Sequence, residues 1–226
     1  YRQGKGKFLP EDIDTSLCTH IVYAFAVLDS ERLEIKSHDS WADIDNNFYS
    51  KVAALAAKGI KVLLGLGGWN DSLGDKYSRL VNNPNSRRNF VRQAVEFVKK
   101  YDFQGLDLDW EYPKCWQVDC NKGPDSDKEG FARLVEELSA EFKPRGWLLS
   151  AAVSPSKVVI DQVNYWLEHG TPREKLILGM PLYGQSFTLS NASNTDLNSP
   201  TTGPGSAGQF TRAAGFLAYY EVTDNK

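Results

Sequence analysis

Short apolar stretches alternate with amphipathic stretches along most of this chain, and no other feature restricts the fold as much. Strands are predicted over Thr19 to Val27, Ile60 to Leu66, Gly105 to Trp110, Trp147 to Val153 and Lys175 to Leu182. Helical spacing of apolar residues predicts helices over Asn46 to Lys58, Ser86 to Lys100, Ser126 to Phe142 and Gln162 to His169. Strands that alternate with helices at a repeated interval are typical of a parallel sheet, closed into a barrel or doubly wound. The sequence therefore predicts an α/β protein.

Composition excludes several other classes of protein. Hydrophobic residues make up 41% of the 226 residues and charged residues 24%, which is typical of a folded globular chain. The 26 basic and 29 acidic residues give a net charge of −3, and without a basic cluster a nucleic-acid partner is not expected. The longest apolar stretches, Val62 to Leu66 and Leu148 to Val153, are far shorter than the ~20 residues that cross a bilayer. No membrane span is predicted.

The cysteines and the first residues of the chain indicate whether the protein is exported from the cell. Cys115 and Cys120 are close enough in sequence for a local disulfide, whereas Cys18 has no evident partner. The alternative is that all three are reduced thiols, with Cys18 a small core residue. The chain opens at Tyr1 without an initiator methionine or a signal peptide, so we expect a processed or shortened chain. An exported protein is favoured.

The most informative stretch is Gly-Leu-Asp-Leu-Asp-Trp-Glu-Tyr-Pro, residues 105–113. Because side chains on a strand alternate between faces, Asp107, Asp109 and Glu111 are expected on one face, with leucine and tryptophan on the other. Like charges this close cannot all ionise cheaply, so at least one of their pKa values is expected to rise. A retained proton is what a general acid requires.

Three interpretations of this carboxylate row compete. It could be a solvated edge strand, although the flanking apolar residues favour the centre of a sheet. It could bind Ca²⁺ or Mg²⁺, although the glycine turn and carbonyl ligands of a calcium loop are missing. Acid–base catalysis is favoured because Glu111 comes at the carboxyl end of its strand, where barrel enzymes keep their active sites. The histidines are dispersed without metal-ligand spacing, and no metal site is predicted.

A second cluster, Gly-Leu-Gly-Gly-Trp-Asn at residues 65–70, ends another predicted strand. Its glycines could serve only a tight turn, and Trp69 could belong to the core. Alternatively, the glycines allow close backbone approach beside a binding site. Tyr23, Phe25 and Tyr183 add aromatic rings near the ends of other strands. Carboxylates together with aromatic rings favour a carbohydrate-binding cleft, since sugar rings stack on aromatic faces.

In these motifs the chain resembles the glycoside hydrolase family 18 chitinases, most closely those of arthropods. The matching motifs are Tyr23 to Phe25, Gly67 to Asn70, Asp107 to Pro113, Ser150 to Val153 and Gly179 to Gly184. The resemblance implies a (β/α)₈ TIM barrel, here incomplete, and retaining endo-hydrolysis of β-1,4-linked N-acetylglucosamine. It also implies that no metal or organic cofactor takes part, and that the partners are chitin and N-acetylglucosamine oligomers.

The resemblance also implies residue roles in a substrate-assisted mechanism. Glu111 would protonate the glycosidic oxygen while the acetamido oxygen of the substrate attacks the anomeric carbon. Asp109 would orient the acetamido group, and Asp107 would share the proton behind it. The implied substrate-binding residues are Trp69, Phe25, Tyr112, Tyr183, Gly68 and Asn70.

Several departures from the family pattern indicate an incomplete catalytic domain. Gln104 stands where the family usually has an aspartate, a change expected to be tolerated. The family's first strand, with a cysteine to pair with Cys18, is expected before Tyr1, and its last strand after Lys226. Two further strand regions are expected between Asp161 and Gln162. These gaps predict a partial barrel over residues 1–187 and the beginning of a small α+β insertion domain over 188–226, after the strand Lys175 to Leu182.

The sequence thus predicts part of a secreted, monomeric, endo-acting chitinase. One alternative is a catalytically inactive chitin-binding lectin on the same scaffold, which the intact Glu111 argues against. The other is a shortened product without catalytic activity.

Overall fold

A computed structural model describes residues 4–117, 119–153 and 159–223, with the main chain alone for Lys5 and for residues 159–163. The chain forms two compact units, one of Pro10–Pro155 and one of Tyr1–Leu9 with Ser156–Lys226. The predicted division into residues 1–187 and 188–226 follows the family's organisation rather than compactness, and it stays a prediction.

The larger unit is built on a five-stranded sheet with the order β2-β1-β3-β4-β5. Its strands are β1 (His20–Leu28), β2 (Ile35–Ser37), β3 (Lys61–Gly67), β4 (Gly105–Asp109) and β5 (Leu148–Ala151). Strands β1, β3, β4 and β5 run parallel, and β2 pairs antiparallel with β1. This confirms the α/β class and the first four predicted strands.

Three helices of the larger unit lie at predicted positions, with some shifts at their ends, whereas the helix Lys76–Asn82 was not predicted. The four helices are α1 (Phe48–Ala53), α2 (Lys76–Asn82), α3 (Pro84–Lys100) and α4 (Ser126–Phe142). After α1 the chain continues as a 3₁₀ helix to Lys58. This helix is capped by Gly59, whose φ of 88° lies in the left-handed region. Helix α3 begins before the predicted Ser86 because the Asn83 side chain accepts hydrogen bonds from two backbone N–H groups and so caps it.

The core of this unit lies between the sheet and its helices. Leu106, Leu108 and Trp110 of the β4 region are buried in it. Their apolar neighbours come from β3, α3 and α4 and include Val62, Leu64, Leu66, Phe90, Ala94, Val98, Leu134, Leu138 and Phe142. Because this face of β4 packs against helices, the opposite face, with the carboxylates, is left free for a site.

The smaller unit contains helices α5 (Val159–Glu168) and α6 (Tyr219–Thr223) and strands β6 (Tyr183–Gln185), β7 (Phe187–Leu189), β8 (Thr201–Pro204) and β9 (Phe216–Ala218). Antiparallel pairing joins β6 to β9 and β7 to β8. The buried Glu221 accepts hydrogen bonds from the backbone N–H groups of Phe210, Thr211 and Ala218. Burial opposes its ionisation, but these donors outweigh it and lower the pKa of Glu221 to about 2.

The prediction of a fifth strand over Lys175 to Leu182 is wrong. Residues 173–175 form a short 3₁₀ helix, residues 176–182 have no regular structure, and the strand begins only at Tyr183. Within its unit this apolar segment packs against little, and Ile177 is 87% exposed. An apolar run becomes a parallel strand only where neighbouring strands pair with its backbone, and no strand among the described residues of this unit pairs with residues 176–182.

The gap in the barrel predicted between Asp161 and Gln162 lies close to residues 154–158, which are outside the described residues. Helix α5 begins at Val159 and continues through the junction between Asp161 and Gln162. In the described part of the chain, no helix is long and apolar enough to cross a membrane.

Candidate active site

The carboxylates of Asp107, Asp109 and Glu111 lie along one face at the carboxyl end of β4. All three residues are partly buried, whereas the alternate residues Leu106, Leu108 and Trp110 are buried. This confirms the predicted alternation of the two faces. It also removes the solvated edge strand as an explanation, since β4 pairs with β3 on one side and β5 on the other.

Neighbouring strands leave space beside the two aspartates. Asp107 lies opposite Gly65 of β3 and Ser150 of β5, and Asp109 lies opposite Gly67. The Ser150 hydroxyl donates to Asp107 Oδ1 at 2.5 Å. A side chain on Gly67 would collide with the Asp109 carbonyl, and its φ of 118° disfavours any other residue. The glycines therefore allow the close approach that the motif suggested.

The electrostatics of the row concentrate on its central member. Burial, repulsion by Glu111 and, to a lesser extent, repulsion by Asp107 raise the pKa of Asp109 from 3.8 to about 6. This agrees with the expectation that at least one pKa in the row rises. A carboxyl that exchanges its proton near pH 6 suits acid–base chemistry.

We expect the side-chain ¹³C resonance of Asp109 to titrate with a midpoint near pH 6, because burial and two like charges disfavour its ionisation. Glu111→Gln should lower this midpoint because it removes the larger of the two repulsions. Asp107→Asn should lower it less.

Glu96→Gln, at an exposed position on α3, provides the control and should leave the midpoint of Asp109 in place. A midpoint near pH 4 in the wild-type protein would contradict the electrostatic description of the row.

Phe25 lies against the glycines of β3. A methyl group on Gly65 would come within 3.2 Å of the Phe25 ring, and one on Gly68 within 2.9 Å. The ring therefore covers the glycine backbone beside the strand that carries the carboxylates. This places the Phe25 ring beside Gly68, and the predicted role of both residues in substrate binding stays a prediction.

Tyr23 does not join this group, although sequence analysis placed it with Phe25. Its hydroxyl donates to Asp43 Oδ1 at 2.7 Å, and its ring packs edge-on against the core residue Tyr49. The pairing register of β1 shifts between Tyr23 and Ala26. Because of this irregularity, two residues that simple alternation puts on one face lie on opposite faces.

Trp69 is 47% exposed and therefore is not a core residue. It directly follows the Gly67-Gly68 pair at the end of β3, and the neighbouring Asn70 is also exposed. An exposed indole next to a carboxylate row is suited to stacking on a sugar ring.

Glu111 is held by several contacts in the loop that follows β4. The Tyr112 hydroxyl donates to Glu111 Oε2 at 3.0 Å. The backbone N–H of Gln117 donates to the Glu111 carbonyl at 2.8 Å, and the Gln117 side chain donates to the Trp69 carbonyl at 2.9 Å. Gln117 thus connects the two predicted parts of the site, and no sequence pattern identified it.

The same loop contains the predicted disulfide between Cys115 and Cys120, whereas Cys18 is free and exposed rather than buried. The loop is fastened to the fold by Asp127, whose carboxylate accepts hydrogen bonds from the Lys114 backbone and the Trp116 indole. No sequence pattern identified Asp127 as an anchor of this loop. It lies buried in the first turn of α4.

Tyr183, the remaining predicted site residue, belongs to the smaller unit. It is 53% exposed, and its ring lies 4.9 Å from that of Phe216. Its predicted role in substrate binding stays a prediction. Among the described residues, no group of three or more His, Cys, Asp or Glu side chains is arranged to hold a metal ion.

The sequence pattern of glycosyl hydrolases family 18 matches residues 1–162 and 156–226, which together include the whole chain. Probable chitinase 10 of Drosophila melanogaster is 50% identical over 275 residues, covering 99% of this chain and 12% of the fly protein. That aligned region is longer than the 226 residues of this chain. The fly protein therefore contains residues within it that have no counterpart here.

Solved structures of two other proteins share the fold. Catalytic domain 2 of the Ostrinia furnacalis group II chitinase is 51% identical, with a TM-score of 0.95 over 98% of this chain and 71% of that one. A mutant of that domain was solved in complex with penta-N-acetylchitooctaose. Human YKL-39, described as a pseudo-chitinase with retained chitooligosaccharide binding properties, is 28% identical with a TM-score of 0.82, over 99% of this chain and 74% of that one.

The chain spans only part of the proteins it resembles. It covers between 12% and 59% of the length of the curated relatives it matches. Their names are chitinase, endochitinase and chitotriosidase.

Proposed function

The chain belongs to glycosyl hydrolases family 18, and on that premise we propose that it hydrolyses the β-1,4 linkages of chitin within the polymer, with retention of configuration. The observation that carries the proposal is the geometry of Glu111. It ends a row of three carboxylates at the carboxyl end of a parallel strand, with its Oε2 accepting from the Tyr112 hydroxyl. The exposed Trp69 lies two residues beyond the end of the neighbouring strand β3.

The proposed reaction is substrate-assisted. Glu111 donates a proton to the glycosidic oxygen, and the bond from that oxygen to the anomeric carbon breaks. The carbonyl oxygen of the substrate's acetamido group forms a new bond to the same carbon, giving an oxazolinium ion. Water then opens this ion from the face that the leaving group vacated, and Glu111 takes up the proton of the water. Two displacements at one carbon retain its configuration.

Asp109 and Asp107 support these steps. A carboxyl with a pKa near 6 changes its protonation under mildly acid conditions, so Asp109 is suited to hold the acetamido group in place while the charge of the ring changes. Asp107, whose Oδ1 accepts a hydrogen bond from the Ser150 hydroxyl, contributes to the repulsion that raises the pKa of Asp109. The proton that Asp109 retains under mildly acid conditions can serve the acid step.

Substrate binding is assigned to aromatic and amide side chains around the row. Trp69 provides the exposed face on which a sugar ring stacks. The remaining proposed contacts in the larger unit are Phe25, Tyr112, Gly68 and Asn70. Tyr183 belongs to the smaller unit and is a proposed contact from the family resemblance alone. The mutant of the Ostrinia domain in complex with penta-N-acetylchitooctaose supports chito-oligosaccharides as the ligand class.

The test is incubation of the full chain with chito-oligosaccharides, with products followed by ¹H NMR. We expect cleavage at internal linkages, with the β-anomer as the first product because the mechanism retains configuration. A first product with inverted configuration would contradict the mechanism, and the absence of any cleavage would contradict the proposed activity.

A binding protein without catalysis is the second candidate. The pseudo-chitinase YKL-39 has the same fold and retains oligosaccharide binding, and this chain lacks residues that its fly relative contains within the aligned region. Oligosaccharide binding by calorimetry without hydrolysis would favour this candidate. If the chain neither bound nor hydrolysed the oligosaccharide, both the chitinase and the binding protein would be excluded.

Secretion and a monomeric state are also part of the proposal. The disulfide between Cys115 and Cys120 supports an oxidising compartment, since such bonds persist mainly in exported proteins. Extracellular chitin would be accessible to a protein in that location.

A further inference from the structure

Ser72 lies between the ends of the two strands that form the site. It is 0% exposed. Its hydroxyl donates to the Gly68 carbonyl at 2.9 Å and accepts a hydrogen bond from the Glu111 backbone N–H, also at 2.9 Å. A buried hydroxyl with both roles occupied has little freedom to rotate. Ser72 therefore joins the backbone after β3 to the backbone after β4.

Its effect concentrates on Glu111. The N–H of Glu111 is held by Ser72, and its carbonyl is held by the Gln117 N–H at 2.8 Å. The main chain of this residue is thus fixed on both sides, although it lies beyond the last residue of β4, Asp109, where the ladder to neighbouring strands no longer holds it. The Ser72 hydroxyl takes over the role of a ladder partner at that point.

We infer that Ser72 is a positioning residue for Glu111, which sets the depth at which this carboxyl stands relative to Asp109 and to the bound sugar. The inference rests on the proposed function, because it assigns Ser72 a role in the same reaction. Ser72 has no direct part in proton transfer, since both roles of its hydroxyl are taken by backbone groups. Its contribution is therefore geometric, and small misplacements of an acid group lower the rate strongly.

Ser72→Ala removes the acceptor of the Glu111 N–H and leaves every predicted substrate contact in place. We expect the exchange of the Glu111 amide hydrogen, followed by NMR, to become about 10- to 100-fold faster. On chito-oligosaccharides we expect kcat to fall by about 10- to 100-fold with little change in KM, because binding groups are retained while the acid is displaced.

Ser78→Ala is the matched control. Ser78 is the other buried serine among the described residues, and its hydroxyl donates to Asp127 at 2.6 Å rather than to the Glu111 backbone. Its loss leaves the two hydrogen bonds by which Asp127 Oδ2 fastens the loop, from the Lys114 backbone and the Trp116 indole. This variant should therefore lose stability without faster exchange at Glu111. Equal acceleration in both variants, or an unchanged Glu111 amide in Ser72→Ala, would overturn the inference. So would faster exchange with an unchanged kcat.

A readout without turnover separates this inference from the proposed function. If the wild-type chain does not hydrolyse chito-oligosaccharides, the proposed activity falls, and Ser72 is judged by amide exchange and by the titration of Asp109. Displacement of Glu111 changes its repulsion of Asp109, so Ser72→Ala should move the Asp109 midpoint and Ser78→Ala should not. An unmoved midpoint in Ser72→Ala would overturn the positioning role.

Discussion

Glu111→Gln is expected to lower the rate of chito-oligosaccharide hydrolysis by about 10²- to 10⁴-fold, because an amide cannot donate the proton that the leaving oxygen requires. Oligosaccharide binding should be retained. The amide has nearly the shape of the carboxyl, and its oxygen still accepts from the Tyr112 hydroxyl, which now donates to Glu111 Oε2 at 3.0 Å. Single-turnover kinetics and calorimetry on the same preparation separate the two effects.

Stability provides an internal check on this variant. Removing one charge from a row of three carboxylates relieves repulsion, so Glu111→Gln should unfold at the same temperature as the wild-type protein or above it. Glu96→Gln, at an exposed position on α3, should leave both hydrolysis and binding unchanged. Hydrolysis at the wild-type rate in Glu111→Gln would remove Glu111 from the acid role.

The carboxylate row is the part of the site that sequence reasoning predicts well. Period-two alternation is a local property of a strand, so the faces of Asp107 and Leu108 follow from their positions alone. Because burial of Leu106, Leu108 and Trp110 in the core is favourable, the carboxylates point to the opposite face. The same reasoning fails for Tyr23, because a shift in the pairing register depends on the neighbouring strand.

Residues that support the row could not be predicted from sequence. Ser72 and Gln117 lie in a turn and a loop without periodic patterning, and their partners are backbone groups far away in sequence. A backbone partner leaves no signature in residue types. The strand predicted over Lys175 to Leu182 is wrong for a related reason. Its apolar residues have local strand propensity, but no described strand of its unit pairs with them.

Asp127 shows the same long-range dependence at the centre of a buried network. Its side chain is 0% exposed. Oδ1 accepts from the Ser78 hydroxyl at 2.6 Å and from Asn82 Nδ2 at 2.8 Å, and Oδ2 accepts from the Lys114 N–H at 3.2 Å and from Trp116 Nε1 at 2.8 Å. One carboxylate thus fastens the loop after β4 to helices α2 and α4.

Asp127→Ala is expected to lower the free energy of unfolding by about 3 to 5 kcal/mol, because it leaves buried donors without acceptors. Asp127→Asn should fall between alanine and the wild type. Its remaining oxygen can face the Lys114 and Trp116 N–H groups, which cannot rotate away. Its NH₂ then faces Ser78, whose hydroxyl can turn to accept. Urea denaturation followed by tryptophan fluorescence measures this series.

Asp125→Ala is the matched control, two residues before Asp127. The Asp125 side chain is 92% exposed and forms an ion pair with Lys114 Nζ at 2.8 Å. Because water screens and replaces such a contact, its loss should leave the denaturation midpoint almost unchanged. If Asp125→Ala and Asp127→Ala lost equal stability, anchoring of the loop by the buried carboxylate would be wrong. If only Asp127→Ala unfolds early, the loop that holds Glu111 and Tyr112 depends on a residue outside the catalytic row.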